Sequence, residues 1–319
     1  MAEATARSAG DLYDLTAENS LAKGQIIQLS DGRAGYAYNS ITAGDPGEIQ
    51  TSGVARITKN SSIVLLAGDE VYWDHSANEA TYKPVNDRDF LVGTAVDDQS
   101  TTSTQVDVLL NSRVTWNVDI DKTGFLSVPV GTQGYNTMGV FRKGGAYTMI
   151  HSSTSEAQKL DMLSIDGFSK DANAIVEFVY AVPSDGAGTV VDVSLGVANA
   201  THSTDADSIT EHVFIHMDAN STTIKAQSKD GSTTVTATDT TKTYTEGSAV
   251  ANRVYVTFDM RDPADVQIYI NRVLVLASTV FNVNAAVGPF FLLAHTEKTS
   301  AADTYELSVH SMRARLMEQ

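Results

Sequence analysis

Two histidines and a few carboxylates are the residues of this chain best suited to chemistry. His212 and His216 share one face of an expected strand, with Phe214 between them and Asp218 close behind. Imidazole and carboxylate together make a metal-binding set. Two residues four apart on a strand, however, lie about 13 Å apart at Cα, too far to share an ion easily. The spacing therefore favours exposed or interfacial histidines over a metal site. The run Thr204-Asp205-Ala206-Asp207-Ser208 is a short acidic loop in which Asp205 and Asp207 are calcium candidates, although the Gly and final Glu of the calcium-loop pattern are missing. Glu177 and Asp192 also fall on expected strands, and two carboxylates roughly 5–10 Å apart would serve sugar hydrolysis. No Glu-x-Asp-x-Glu run, Gly-x-Ser-x-Gly, phosphate loop or His-Glu-x-x-His accompanies them. The expectation is a protein that is not an enzyme and carries no resident metal or cofactor. Tyr135, Tyr147 and Tyr244 are candidates for stacking on sugars, and equally for packing inside the fold.

The bulk properties narrow the class of partner. Lys plus Arg total 22 against 39 Asp plus Glu, a net charge of −17. A surface this acidic repels phosphate backbones, so nucleic acid is not an expected partner. No run of 18 apolar residues is present, so no membrane-spanning helix is expected, and the first residues lack the pattern of a secretory signal. Cysteine is absent; no disulfide or thiolate chemistry is open to the chain. Apolar residues make up 42% of its 319 residues, enough for ordinary cores and suited to about two domains.

The elements that must position these residues read as strands throughout. Gly53-Val54-Ala55-Arg56-Ile57-Thr58 alternates as a half-buried strand should, and turn signals such as Ser30-Asp31-Gly32 and Ala43-Gly44-Asp45-Pro46-Gly47 punctuate the first third. Later, Val254, Val256, Phe258 and Met260 share one strand face and Val266, Ile268 and Ile270 another; Asn271-Arg272 is a two-residue turn. The polar stretch 232–248 keeps enough alternation for an exposed strand pair. No long helical period occurs. The expected architecture is all-β: an N-terminal arm over 1–20, a small β-barrel-like domain over 21–115, a connection over 116–136, and a larger antiparallel β-sandwich over 137–319.

Five pieces of the first third stand in a telling order: Gly24-Gln25-Ile26, Ile63-Val64-Leu65, Gly68-Asp69-Glu70-Val71-Tyr72, Val92-Gly93-Thr94-Ala95-Val96 and Val106-Asp107-Val108-Leu109. In this order and spacing they resemble the phage capsid decoration (cement) proteins. The resemblance implies a compact, usually trimeric module that sits on the outside of an assembled shell and reinforces it. Its partners would be the major capsid protein and further copies of itself, with assembly in the host cytoplasm. Leu12, Tyr13 and Leu15, together with Tyr72 and Trp73, are the candidate capsid or oligomer contacts; the last two are neighbours on a strand and so point to opposite faces. The later hairpin, Arg253-Val254-Tyr255-Val256-Thr257-Phe258-Asp259 followed by Val266-Gln267-Ile268-Tyr269-Ile270-Asn271-Arg272, resembles the concanavalin-like jelly-roll domains. Arg272 stands where those domains have Gly, which puts a type I′ turn in question. That resemblance supplies the rival reading, a lectin-like module adhering to cell-surface glycans.

Overall fold

The computed structural model describes residues 3–6, 10–134, 138–152, 156–185, 191–218, 221–299 and 304–317. The chain divides into two compact units, Met1–Thr115 and Trp116–Gln319. Both are all-β, and every strand pairing within them is antiparallel.

Among its described residues the first unit holds ten strands: β1 (Ala4–Ala6), β2 (Leu12–Thr16), β3 (Ile26–Gln28), β4 (Ala34–Ala37), β5 (Pro46–Gln50), β6 (Val54–Thr58), β7 (Glu70–Asp74), β8 (Glu79–Thr81), β9 (Phe90–Ala95) and β10 (Gln105–Leu110). They form a six-stranded sheet ordered β1-β6-β10-β9-β7-β8 and a four-stranded sheet ordered β2-β5-β4-β3. The two close on one apolar core in which Ile26, Ala34 and Tyr36 of the smaller sheet meet Ile57, Val71, Trp73 and Val108 of the larger. Asn111 ties the sheets together. Its amide donates to the carbonyls of Ala34 (2.9 Å) and Thr51 (2.7 Å), and its oxygen accepts from the Ala34 N–H (2.8 Å).

Two glycines explain the motif that singled out this unit. Gly68 has φ +81° and donates its N–H to Ala95 O (2.7 Å); buried Asp69 then folds its carboxylate back to accept from the Leu66 N–H (2.9 Å). Gly68 supplies the left-handed turn and Asp69 closes it by bonding back to the backbone three residues earlier. A Cβ on Gly93 would lie 2.0 Å from Leu109 O, so β9 can approach β10 there only without a side chain. Within 1–20, expected as an arm, the described strands belong to the two sheets: β1 pairs with β6, and β2 pairs with β5 from Leu12↔Gln50 to Thr16↔Pro46. Edge pairing needs backbone groups rather than an apolar period, and this segment's mixed side chains leave those groups free to bond.

The second unit contains β11 (Val118–Asp119), β12 (Phe125–Val130), β13 (Met138–Lys143), β14 (Ala146–His151), β15 (Gln158–Phe168), β16 (Ala174–Ser184), β17 (Val191–Ala198), β18 (Glu211–Met217), β19 (Thr223–Asp230), β20 (Thr234–Thr243), β21 (Val254–Met260), β22 (Gln267–Ile270), β23 (Val273–Val275), β24 (Phe290–Lys298) and β25 (Tyr305–Leu316). One sheet runs β13-β14-β25-β16-β21-β22-β23, with β11 pairing β25 beside this path; the other runs β12-β15-β24-β17-β18-β19-β20. Their inner faces share one large core that includes Phe178, Phe258, Phe281, Phe290 and Tyr180. This is the antiparallel jelly-roll sandwich. The expected connection, 116–136, contributes two strands to it: β11 pairs with β25, and β12 forms the edge of the second sheet along β15. The 232–248 stretch supplies one edge strand, β20, rather than a pair.

The turn at Asn271-Arg272 takes the type I′ shape with φ +51° and +62°. Arg272 accepts a conformation glycine would adopt more cheaply because its guanidinium has a buried partner. It donates to Glu177 Oε2 (2.6 Å) and to Thr257 Oγ1 (3.0 Å), while Arg313 holds the other Glu177 oxygen. Burial alone would push the Glu177 carboxyl up; Arg313 and then Arg272 hold it below the usual range. The indole of Trp116 lies 4.1 Å from the Arg313 guanidinium centre and 5.5 Å from that of Arg315, a cation–π stack. Replacing Arg272 by Gly relaxes the turn by about 1 kcal/mol but removes one of the cations beside a buried carboxylate, a loss of about 3–5 kcal/mol. Arg272→Gly is therefore expected to lower the unfolding free energy of the sandwich by about 2–4 kcal/mol, measured by chemical denaturation.

Candidate functional site

In the first unit the β2 edge is a candidate contact surface. β2 pairs with β5 alone; Leu12 is 46% and Tyr13 40% exposed, while Leu15 packs against the small core that includes Ile41 and Ile49. Tyr13, Leu15, Ala17, Leu21, Ile27 and Leu29 line an open groove of ≈ 360 Å³, and Arg33 stacks over the Tyr13 ring at 5.2 Å. A free strand edge next to exposed apolar side chains is a ready contact surface. Trp73, the other aromatic proposed to make such contacts, is 1% exposed in the core, so it is a packing residue. Its neighbour Tyr72 points the other way, is half-buried, and donates to Glu70 Oε2 (3.2 Å).

In the second unit the chemistry-bearing residues converge on the outward face of the seven-stranded sheet. Leu160, Met162, Leu292, Ala294, Val193, Leu195, Val213, Ile215 and Ile224 turn into the core. Strand alternation then sends Asp161, His295, Ser194, His216 and Lys225 to the other face. Register puts these five in one row across β15, β24, β17, β18 and β19: Asp161↔His295↔Ser194↔His216↔Lys225. Glu297 and Asp192 face each other in the next row.

The row is linked by hydrogen bonds. His295, 1% exposed, contacts Asp161 Oδ1 through Nδ1 (2.6 Å) and Glu297 Oε2 through Nε2 (3.0 Å). Burial opposes its charge, but the two carboxylates win and raise its pKa. Lys159 pairs with Asp161 on the same strand. His216 contacts Ser194 Oγ through Nδ1 (3.1 Å) and Asp218 Oδ1 through Nε2 (2.9 Å), and Lys225 pairs with the other Asp218 oxygen. Burial works against the Asp218 carboxylate, yet Lys225 and His216 hold its pKa low. Further along, Ala206 and Ile209 of the 199–210 loop cover Phe214, Leu293 and Ala198 of this face.

Several sequence expectations change here. His212 and His216 are not exposed: they are 3% and 7% accessible, His212 bonded to Ile209 O (3.0 Å) and stacked on Phe214 at 4.4 Å. The loop covers one and the polar row absorbs the other. Asp205 and Asp207 do not converge on a common point, since Asp205 accepts from the Asp207 N–H (2.7 Å) while Asp207 accepts from Gln227. Tyr244 is buried in the core and Tyr147 is half-buried between Phe125 and Arg142, so the two form no shared platform. Tyr135 lies outside the described residues. Glu177 and Asp192, weighed as paired acids, stand on different sheets. Sequence reading missed Asp161, Ser194, Lys225, His295 and Glu297, because only cross-strand register assembles them.

Residues 8–110 match the family model described as phage cement protein. No curated protein matches the chain. Among solved structures, the metal-free carbohydrate recognition domain of Emp46p is 9% identical with a TM-score of 0.41, over 63% of this chain and 98% of that one. A carbohydrate-binding module from Bacillus subtilis, CBM66, is 12% identical (TM-score 0.35; 62% and 97% covered). A family 16 endo-glucanase from Bacteroides ovatus is 8% identical (TM-score 0.41; 62% and 96% covered). Likenesses at this level leave ligand and activity open, so what the face binds has to come from its own side chains.

Burial gives the sandwich a pH dependence. Desolvation pushes His151 and His212 down to about 4. The unfolded chain takes up these protons near pH 6.5, whereas the folded one resists until about pH 4. Stability is thus full above pH 6.5 and falls as the pH drops toward 4, on the order of 3 kcal/mol per histidine. His295, shifted the other way, offsets part of this. Thermal melts between pH 7 and 4 are expected to show a falling midpoint, and His212→Gln to flatten the fall; a midpoint unchanged by that substitution would count against the account.

Proposed function

We propose that this protein decorates the outer surface of a phage head, with the first unit docking on the assembled shell as a trimer and the second displayed outward. The match of residues 8–110 to phage cement proteins carries this reading. The apolar β2 edge supports it by offering a surface that could be covered by the major capsid protein or by another copy. The net charge of −17 suits a surface facing away from packaged nucleic acid. Reinforcement in this reading is non-covalent and not enzymatic: each contact is modest, and repetition over the shell multiplies it.

The second reading, glycan adhesion by the sandwich, rests on the polar face of the seven-stranded sheet rather than on the tyrosines first considered. Both roles fit one chain, one per unit.

Heads prepared with and without the protein test the first reading. Decorated heads should withstand heating to higher temperature, and Leu12→Lys combined with Tyr13→Glu should abolish occupancy while leaving the melting midpoint of the free protein nearly unchanged, since both side chains are exposed. Equal heat resistance of bare and decorated heads would remove the proposal. Retention of glycans on an array by the wild-type sandwich, lost on disrupting the polar face, would support the second reading.

A further inference from the structure

We propose that Asp192, His216 and Asp218 form a binding site for a divalent transition-metal cation on the outward face of the seven-stranded sheet. One ligand atom from each residue lies within 4.8 Å of the other two. Donors around one such cation, each about 2.0–2.2 Å from it, stand roughly 3–4 Å apart, so small side-chain rotations close the set. The residues come from the facing ends of β17 and β18, and Asp218 follows β18 directly, which fixes two of the three on a rigid ladder.

The hydrogen bonding around His216 is arranged as a metal-bound imidazole needs. Ser194 Oγ sits 3.1 Å from Nδ1 and can accept its proton, while Nε2 donates to Asp218 Oδ1 at 2.9 Å, so a cation bound between these two would take the place of the Nε2 proton. A ligating histidine ordinarily has its second nitrogen held in this way, which sets the tautomer and the ring plane. Ser194 is 1% exposed and His216 7%, so the ring is held in place by its surroundings.

Other charged groups stand close by: Asp207 lies 3.8 Å from His216 Nδ1, and Lys225 pairs with Asp218. Asp192 stands directly opposite Glu297 on β24, a like-charge pairing that a sheet tolerates poorly and that a divalent cation bound by Asp192 would relieve. Asp218 can turn one oxygen to the metal and keep Lys225 on the other.

The donor set selects the class of ion. One imidazole nitrogen with two carboxylates suits Zn²⁺ or Mn²⁺, whereas Ca²⁺ prefers six or more oxygens. Three protein ligands leave at least one position for water or a hydroxyl group. The site owes nothing to the capsid-decoration reading and stands or falls separately from it.

Calorimetric titration of the full chain with ZnCl₂ near neutral pH tests the site, with CaCl₂ in parallel. One zinc per chain is expected, with little or no heat from calcium. Asp192→Asn and His216→Gln should each weaken zinc binding about tenfold or more, and His75→Gln, in the other unit, should leave it unchanged. Circular dichroism melts identify any variant that fails to fold, and Asp192→Asn, at a half-exposed position, provides the independent check. Absence of saturable zinc binding, equal affinity in both ligand variants, loss of binding in His75→Gln, or tighter binding of calcium than zinc would each overturn the proposal.

Discussion

A buried carboxylate with no water to solvate it must have cations placed around it, and much of the second unit is built to do that for Glu177. The residue lies on β16, with β25 on one side and β21 on the other. Arg313 reaches it from β25, Arg272 from the β22–β23 turn, and Trp116 lies over Arg313. Removing one partner leaves a desolvated charge, so the arrangement constrains several elements at once. It sets the register of the two central strands, keeps an unfavourable turn conformation at Arg272, and draws the start of the unit onto the sheet.

The sandwich therefore uses its two outward faces differently. On the eight-stranded sheet the Glu177 carboxylate has both oxygens taken by Arg272 and Arg313, which leaves it none for a ligand. On the seven-stranded sheet the row from Asp161 to Lys225 gathers two histidines, each bonded to a carboxylate: His295 to Asp161 and Glu297, and His216 to Asp218. Groups of this kind, held partly buried and in close register, are costly to maintain for stability alone. The first unit holds its buried charges singly, as in Asp69, whose carboxylate closes a turn, and Lys59, whose ammonium is bonded to the carbonyls of Asn60 and Ile63.

Much of the fold was legible because strand alternation writes itself into the sequence. The all-β class and the Gly68-Asp69 turn followed from it. The edge strands were not legible. β12 is largely exposed and contains Pro129, which an edge strand tolerates; its side chains carry no buried period, so it read as a connection. β2 was obscured in the same way. The polar face was hidden for another reason. Asp161 and His295 are 134 residues apart in the chain, and only pairing register makes them neighbours. Arg272 looked like a departure from a glycine turn because its partner, Glu177, lies 95 residues upstream.

The position of β25 has a kinetic consequence. This twelve-residue strand lies inside its sheet, between β16 on one side and β14 and β11 on the other. Every earlier strand of that sheet leaves the ribosome before it does, and β11 must wait for a partner almost two hundred residues away. Until β25 inserts, β14 and β16 expose unpaired edges toward each other. Closure of the sandwich is thus a late, long-range step, the kind of event that makes β-rich domains slow to fold, and a nascent chain is most exposed to mispairing with its neighbours during that interval.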